Sequence, residues 1–299
     1  NFFPPVGSAD PIPCIEKRMN LYGATAAPIA MEAIEKCLDG RMNCDSITHL
    51  ITVSCTGMSA PGLDLELIEL LNLPKNIYRS SINFMGCYAA IHALKMAHAI
   101  CQSESNATVM LVCTELCTLH FQDVASADNI ASSLLFGDGA AAVLVVSDDV
   151  DMKGLNIKSF YSEIVPKGKD DMSWVIASTG FLMTLSGYVP DLIQTDFDNL
   201  MNKALNKAGI SKEDIQYWCI HPGGKRILDA ISKSLDFKGT ELEHSLAVLK
   251  ENGNMSSPTV LFVLKKIMDT LQFDEPANIF GAAFGPGLTM ETFIASTHA

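Results

Sequence analysis

Three side chains with useful chemistry stand in short glycine-flanked stretches: Cys87 in Met-Gly-Cys-Tyr-Ala, His221 in His-Pro-Gly-Gly and Asn254 in Gly-Asn-Met-Ser-Ser. Glycines at such places let the backbone turn sharply and come close to a ligand. Around Cys87 an extended run ends at Phe84, and from Gly86 onward the chain is rich in Ala, Leu, Ile and Met with scarcely a charge. That pattern predicts a strand delivering the chain into a buried helix. Cys87 then lies at a helix N-terminus, where unpaired N–H groups and the positive end of the dipole favour a thiolate. Each residue also has a plainer reading. A Cys in an apolar run packs as a small hydrophobe, a His before Pro-Gly-Gly can serve the turn, and an Asn in a glycine loop bonds its own backbone. None of the three carries an activity by itself.

The elements that must position them follow from periodicity. A helix is expected over residues 15–38, with Pro28 kinking it or starting a second one. A half-buried strand over 48–54 runs into a loop, and a short amphipathic helix covers 63–71. A buried strand is expected over 107–116, then a polar loop and a helix through Leu135. Phe136-Gly137-Asp138-Gly139 reads as a turn opening an apolar strand over 140–146. A charged patch over 147–151 marks a boundary. Beyond it come a strand over 155–164, a helix over 195–208, a strand over 217–220 that stops at His221, a helix from Pro258 to Leu271 and a strand over 278–283. Strand, glycine turn and helix recur in both halves, which predicts α/β layers in two related lobes, residues 1–149 and 150–299.

With 299 residues, 48% of them hydrophobic, the chain can bury a sizeable core. Its formal net charge of −13 argues against nonspecific nucleic-acid binding and against an anionic membrane surface. An anionic substrate must therefore meet a local basic patch. Apolar runs are broken well short of transmembrane length, so no membrane insertion is expected. Nine cysteines are scattered without a CxxC pair, which fits reduced structural thiols in a cytoplasmic protein better than a disulfide framework or zinc. No signal or transit peptide is visible in the stretch before the motifs. His92 and His98, six residues apart on the Cys87 helix, do not share a face and have no carboxylate with them, so no metal site is expected. His49, His244 and His298 stand in no motif.

MGCYAA, FGDGAAAVLV, HPGG, GNMSSPTVLFVL and FGPGLTMET, in this order, resemble the type III polyketide synthases, the chalcone and stilbene synthase-like enzymes, over nearly the whole chain. The resemblance implies a thiolase fold of two duplicated α/β lobes in an αβαβα arrangement, a homodimer, and a buried site served by CoA thioesters without a bound cofactor. It makes Cys87 the nucleophile, His221 and Asn254 its partners, and Phe136 the gatekeeper between tunnel and cavity. A helix N-terminus and an adjacent imidazolium would lower the thiol from its usual pKa of about 8.5 and leave it mostly ionised. Loading is then transthioesterification onto Cys87. His221 and Asn254 are the two donors needed where malonyl-CoA loses CO₂ and its thioester oxygen gains charge. Phe284, Gly285 and Pro286 shape the cavity wall, and Ser256 lines it.

Departures from the family pattern narrow the substrate. Trp174 stands where plant chalcone synthases carry a small glycine, Cys117 and His120 replace two threonines, and Met183 replaces a phenylalanine. A bulky Trp and His reshape the plant-type pocket, which favours an aliphatic starter, as in microbial members, and a pyrone, resorcinol or phloroglucinol product. The lead-in before residue 15 is shorter than the N-terminal strand and helix of family members, whose basic side chains bind CoA phosphates. Lys225 and Arg226 are the remaining basic pair for that task, a solvated helix surface being the equal reading. A ketoacyl-acyl-carrier-protein synthase of type III shares Cys, His and Asn, but HPGG, GNMSSP and FGPGLTMET favour the polyketide branch. An inactive thiolase-fold binding module is the alternative from another class, and alkylation of Cys87 separates it from an enzyme.

Overall fold

The first helix, α1 (Ile15–Leu38), runs unbroken through Pro28. Tyr22, Ala26, Ala30, Ile34 and Leu38 recur at three- and four-residue spacing and are all buried, so packing holds the helix together across the proline. The computed structural model describes residues 2–5, 8 and 10–298. After α1 come β1 (His49–Ser54), α2 (Leu63–Leu70), β2 (Tyr78–Asn83), α3 (Ala89–Ser103), β3 (Thr108–Leu116), α4 (Ala127–Leu135) and β4 (Asp138–Val146). The second half holds β5 (Asn156–Ile164), β6 (Met172–Ala177), β7 (Gly180–Leu185), α5 (Val189–Ala208), β8 (Tyr217–Ile220), α6 (Lys225–Ser234), α7 (Glu243–Asn252), α8 (Pro258–Thr270), β9 (Asn278–Gly285) and β10 (Thr289–Ser296).

The first sheet has the order β2-β1-β3-β4, with β1 parallel to both β2 and β3, and β4 antiparallel to β3. All six residues of β1 are buried, where alternation predicted a half-buried strand. The reason is position: β1 lies inside the sheet and is covered on both faces. β4 begins at Asp138, inside the expected turn, and Asp138 pairs with Leu116. The Asp138 carboxylate accepts from the Thr118 N–H at 2.8 Å and the Thr118 hydroxyl at 2.5 Å, which closes this end of the pair.

The second sheet runs β5-β10-β9-β8. Here β8 and β9 are parallel, β9 and β10 antiparallel, and β10 and β5 antiparallel. Parallel pair, intervening helix and antiparallel partner thus recur as β1, α3, β3, β4 and again as β8, α8, β9, β10. The outer edge of β10 is paired with β5, whereas that of β4 carries no strand among the described residues.

Period-two alternation sends the two faces of each strand to different layers. From β1 and β3, Ile51, Val53, Val109, Leu111 and Cys113 face a shared core with Ala90, Ala93, Leu94 and Ala97 of α3 and Val260, Val263, Leu264 and Ile267 of α8. Ile279, Ala283 and Phe293 of the second sheet close this core from the other side. Leu50, Met110 and Val112 face outward to Ile34, Leu38 and Leu67 of α1 and α2. On the far side Ile220, Phe280, Ala282 and Ile294 meet Ile193, Phe197, Leu200, Ile227 and Ile231 of α5 and α6. The layers are therefore helix, sheet, helix, sheet, helix, with α3 and α8 in the middle. Both middle helices start where the two sheets meet, beside Cys87 and Asn254.

Candidate active site

Cys87 is set by a reversal after β2. Phe84 and Gly86 take positive φ angles of 60° and 79°, and a single 3₁₀ turn, Gly86–Tyr88, precedes α3. Only glycine fits at 86, since a Cβ there would stand 2.3 Å from Pro286 Cδ. The Gly86 N–H donates to Cys55 Sγ at 2.9 Å. Cys87 is left buried, and Phe284 of β9 and Pro286 of the turn between β9 and β10 line the same cavity.

Asn254 arrives from the other half. The Asn254 N–H donates to Leu135 O and the Gly137 N–H to Asn254 O, both at 2.9 Å, so residues 135–137 and 254 form a short parallel bridge. Asn254 Oδ1 accepts from the Ser256 N–H at 2.8 Å, and both carboxamide atoms lie 3.9 Å from Cys87 Sγ. With the oxygen engaged by Ser256, the NH₂ group is the donor left for the sulfur and the cavity. His221 ends β8, its N–H bonded to Ala282 O of β9 at 2.8 Å. Both of its ring nitrogens are buried without a protein partner, and the ring lines the same cavity as Cys87 and Asn254.

The electrostatics differ from the expected thiolate and imidazolium. Burial, with a smaller contribution from Glu115, pushes the Cys87 thiol up to about 11 against hydrogen bonds from Ser256 and Asn254. Burial also lowers His221 to about 3. A helix N-terminus contributes about 0.3–1 kcal/mol, whereas the upward displacement from 9.0 to about 11 corresponds to about 2.7 kcal/mol. Desolvation wins, and the resting pair is thiol and neutral imidazole. Burial disfavours either charge alone, so only opposite charges on the two groups of this cavity could offset each other.

The cavity around these groups measures about 130 Å³. Phe136, Cys117, His120, Trp174, Met183, Ser256, Phe284 and Pro286 all line it, joined by Cys55, Thr56, Met172 and Phe181. Gly285 does not line it. It stands behind the wall, where a Cβ would come 2.6 Å from the Tyr88 ring. Lys225 and Arg226 lie outside it, on the first turn of α6: Lys225 is paired with Asp229 at 2.8 Å, and Arg226 donates to Gly187 O at 3.1 Å.

His120 is held on both nitrogens, Nε2 donating to Thr56 O at 2.6 Å and Nδ1 accepting from the Phe181 N–H at 3.0 Å. Its ring stacks on Phe181 with centroids 4.1 Å apart, and burial lowers its pKa to about 4, so it is a neutral wall group. Trp174 donates from Nε1 to Cys55 O at 2.7 Å and meets both rings edge-on. The β6–β7 hairpin that supplies Met172, Trp174, Phe181 and Met183 was not foreseen as an element. Its signal was two β-branched and aromatic runs around Ser178-Thr179-Gly180.

Glu115 was also missed, being one acid inside an apolar strand. It is fully buried on β3 behind the cavity wall. His92, set aside as a metal ligand, pairs with Glu291 at 3.0 Å instead. Among the described residues no cluster of three or more His, Cys, Asp or Glu could hold a metal ion, and no helix is long and apolar enough to cross a membrane.

Family models for chalcone and stilbene synthases match the chain twice, the N-terminal domain over residues 4–149 and the C-terminal domain over 156–298. The fold is similar to the C-terminal type III polyketide synthase domain of Steely1, a type I/III hybrid from Dictyostelium, with a TM-score of 0.89 at 28% identity, over 94% of this chain and 79% of that one. It is also similar to PKS-I from the brown alga Ectocarpus siliculosus, with a TM-score of 0.87 at 26% identity, over 97% of this chain and 82% of the other.

Proposed function

Since this chain belongs to the chalcone and stilbene synthase family, and is a type III polyketide synthase with the thiolase fold, we propose that it loads an aliphatic acyl-CoA starter on Cys87 and extends it with malonyl-CoA. The observation that carries this reading is the meeting of Cys87, His221 and Asn254 in one buried cavity. Cys87 passes its proton to His221 as the sulfur attacks the starter thioester, so thiolate and imidazolium arise together. Malonyl-CoA then loses CO₂, and the enolate oxygen that forms takes hydrogen bonds from the Asn254 carboxamide and from His221. The enolate carbon attacks the acyl group on Cys87, and the lengthened chain returns to CoA. Cyclisation gives a pyrone, a resorcinol or a phloroglucinol.

The walls support the aliphatic starter. Trp174, His120 and Phe181 lock one another in place, while Cys117, Met172 and Met183 add thin, adaptable apolar surface. Walls of this kind suit a polymethylene chain better than a coumaroyl ring. Phe136 takes the gatekeeper position, Phe284 and Pro286 cover the nucleophile with Gly285 supporting them from behind, and Ser256 orients Asn254. Lys225 and Arg226 contact the CoA phosphates, and the enzyme works as a cytoplasmic homodimer without a bound cofactor.

The test is product analysis by mass spectrometry with malonyl-CoA and a panel of aliphatic and aromatic acyl-CoAs. Turnover confined to coumaroyl-CoA would sink the aliphatic reading. Failure of any acyl-CoA to form an adduct on Cys87 would sink the whole assignment.

A further inference from the structure

A cavity that builds a polyketide changes its contents as it works. The proposed aliphatic starter brings no oxygen beyond its thioester, whereas each extension leaves a ketone, so alternate carbons of the lengthening chain carry an acceptor. Taking such a carbonyl out of water among apolar walls costs free energy unless a donor meets it. Asn254 and His221 serve the thioester oxygen at the reacting end. The ketones farther along need a donor of their own.

Most polar side chains of the cavity wall are already committed. The Thr56 hydroxyl donates to Glu115 Oε2 at 2.8 Å, the Thr118 hydroxyl to Asp138 at 2.5 Å, and the Ser133 hydroxyl to Asn129 O at 2.7 Å. The Gln122 carboxamide uses its nitrogen on His120 O and Thr179 O, both at 2.9 Å. Trp174 and His120 are tied to Cys55, Thr56 and Phe181, and the Ser256 hydroxyl is turned to the Cys87 sulfur. Ser132 differs. Among the described residues, its Oγ and the two ring nitrogens of His221 are the buried side-chain atoms of this wall that lack a protein partner.

The end of α4 fixes where that hydroxyl stands. Asn129, Ser132, Ser133 and Phe136 recur at three- and four-residue spacing and all line the cavity, so this is the face that α4 gives to it. The Phe136 N–H donates to Ser132 O at 2.9 Å. Ser132 is therefore one turn, about 5.4 Å of helix, before the stretch 135–137 whose backbone holds Asn254. A free hydroxyl, one donor with two lone pairs, thus lies a short way along the cavity from the group that receives the thioester oxygen.

We propose that the Ser132 hydroxyl donates a hydrogen bond to a ketone oxygen of the growing chain, and so holds the extended intermediate, but not the starter, in register with Cys87 and Asn254. It is a positioning group, and no substrate bond is made or broken on it. A saturated acyl chain passes Ser132 without a polar contact. Once a ketone is present, the hydroxyl gains the partner it lacks and the chain is fixed at a second point, which also decides which of its carbons meet when the ring closes.

The inference rests on the proposed condensation, and the test keeps the two apart. The probes are a saturated acyl-CoA and the 3-oxoacyl-CoA of the same chain length, each followed by rapid quench through acylation of Cys87 and one extension with malonyl-CoA. A wild-type chain that neither probe acylates, as read by intact mass, overturns the condensation and this inference with it. Where the wild type extends both, Ser132→Ala should extend the 3-oxoacyl group about 5- to 10-fold more slowly, the weight of one hydrogen bond, and the saturated group at the wild-type rate. Products grown from the saturated starter should become shorter, and Ser132→Thr, which keeps a hydroxyl, should restore them. Equal losses with both probes would assign the hydroxyl to the pantetheine arm or to the helix itself and overturn the proposal. Wild-type extension of the 3-oxoacyl group by Ser132→Ala would overturn it too, the result expected if the hydroxyl turns back onto Asp128 O of its own helix.

Discussion

Gly137 touches neither the Cys87 sulfur nor the cavity, yet its replacement should disable condensation. A Cβ at this position would stand 2.6 Å from Asn252 O, and ordinary contact begins at 3.4 Å. The obstacle is backbone, so about 0.8 Å of separation must come from moving residues 252–254 away from residues 135–137. That movement breaks into the two 2.9 Å bonds that hold the Asn254 main chain. Asn254 follows, and its carboxamide leaves the place where it meets Cys87 Sγ at 3.9 Å. A misplacement near 1 Å costs on the order of 10²-fold in rate, equivalent to about 2.7 kcal/mol of barrier. Gly137→Ala should therefore lower malonyl decarboxylation and condensation by about that factor, while acylation of Cys87, which does not use Asn254, stays near the wild-type rate. Rapid-quench acylation and CO₂ release measure the two steps separately. Gly154→Ala, with nothing within 4 Å of the added methyl group, is the control and should change stability by less than about 0.5 kcal/mol. Condensation by Gly137→Ala at the wild-type rate, in a chain that melts normally, would refute the reasoning.

Three further outcomes are expected. Asn254→Ala should reduce decarboxylation by about 10²–10³ through loss of an oxyanion donor and leave acyl loading largely intact; equal losses in both steps would argue against the donor role. Trp174→Ala should enlarge the cavity beside His120 and Phe181 and shift the ratio of kcat/KM values toward bulkier starters, and an unchanged ratio across the acyl-CoA panel would show that Trp174 does not set the choice. Glu115, raised by burial from 4.5 to about 7, stays protonated in the folded chain where the unfolded chain has already ionised, so its stabilisation is complete below pH 4.5 and lost as pH rises to 7. The full difference is about 3 kcal/mol, so the stability of Glu115→Gln relative to wild type should rise across this window in denaturant titrations; a difference independent of pH would contradict it.

How far each feature was legible depends on how local its cause is. The helix over 15–38, the buried strands and the apolar start of α3 follow from spacing that neighbouring residues impose on one another. β10 and the β6–β7 hairpin were less visible: Glu291 interrupts the apolar pattern of one, and the other is a two-stranded element that needs the cavity wall to pack against. Glu291 is tolerated inside because His92, Lys95 and Ser162 reach it from α3 and β5, partners that linear order does not reveal. The same holds for Glu115, whose partners Cys55, Thr56 and Ser257 come from two distant loops.

By itself the sequence determined the family, the two-lobed layering and the identities of Cys87, His221 and Asn254, because motif and periodicity are properties of neighbours along the chain. Only the tertiary structure decided that these groups share one cavity, that the thiol and imidazole rest neutral, and that Glu115 lies behind them. Burial and solvation depend on what surrounds a group in space, and desolvation outweighs the helix-terminus field that local order alone would assign to Cys87.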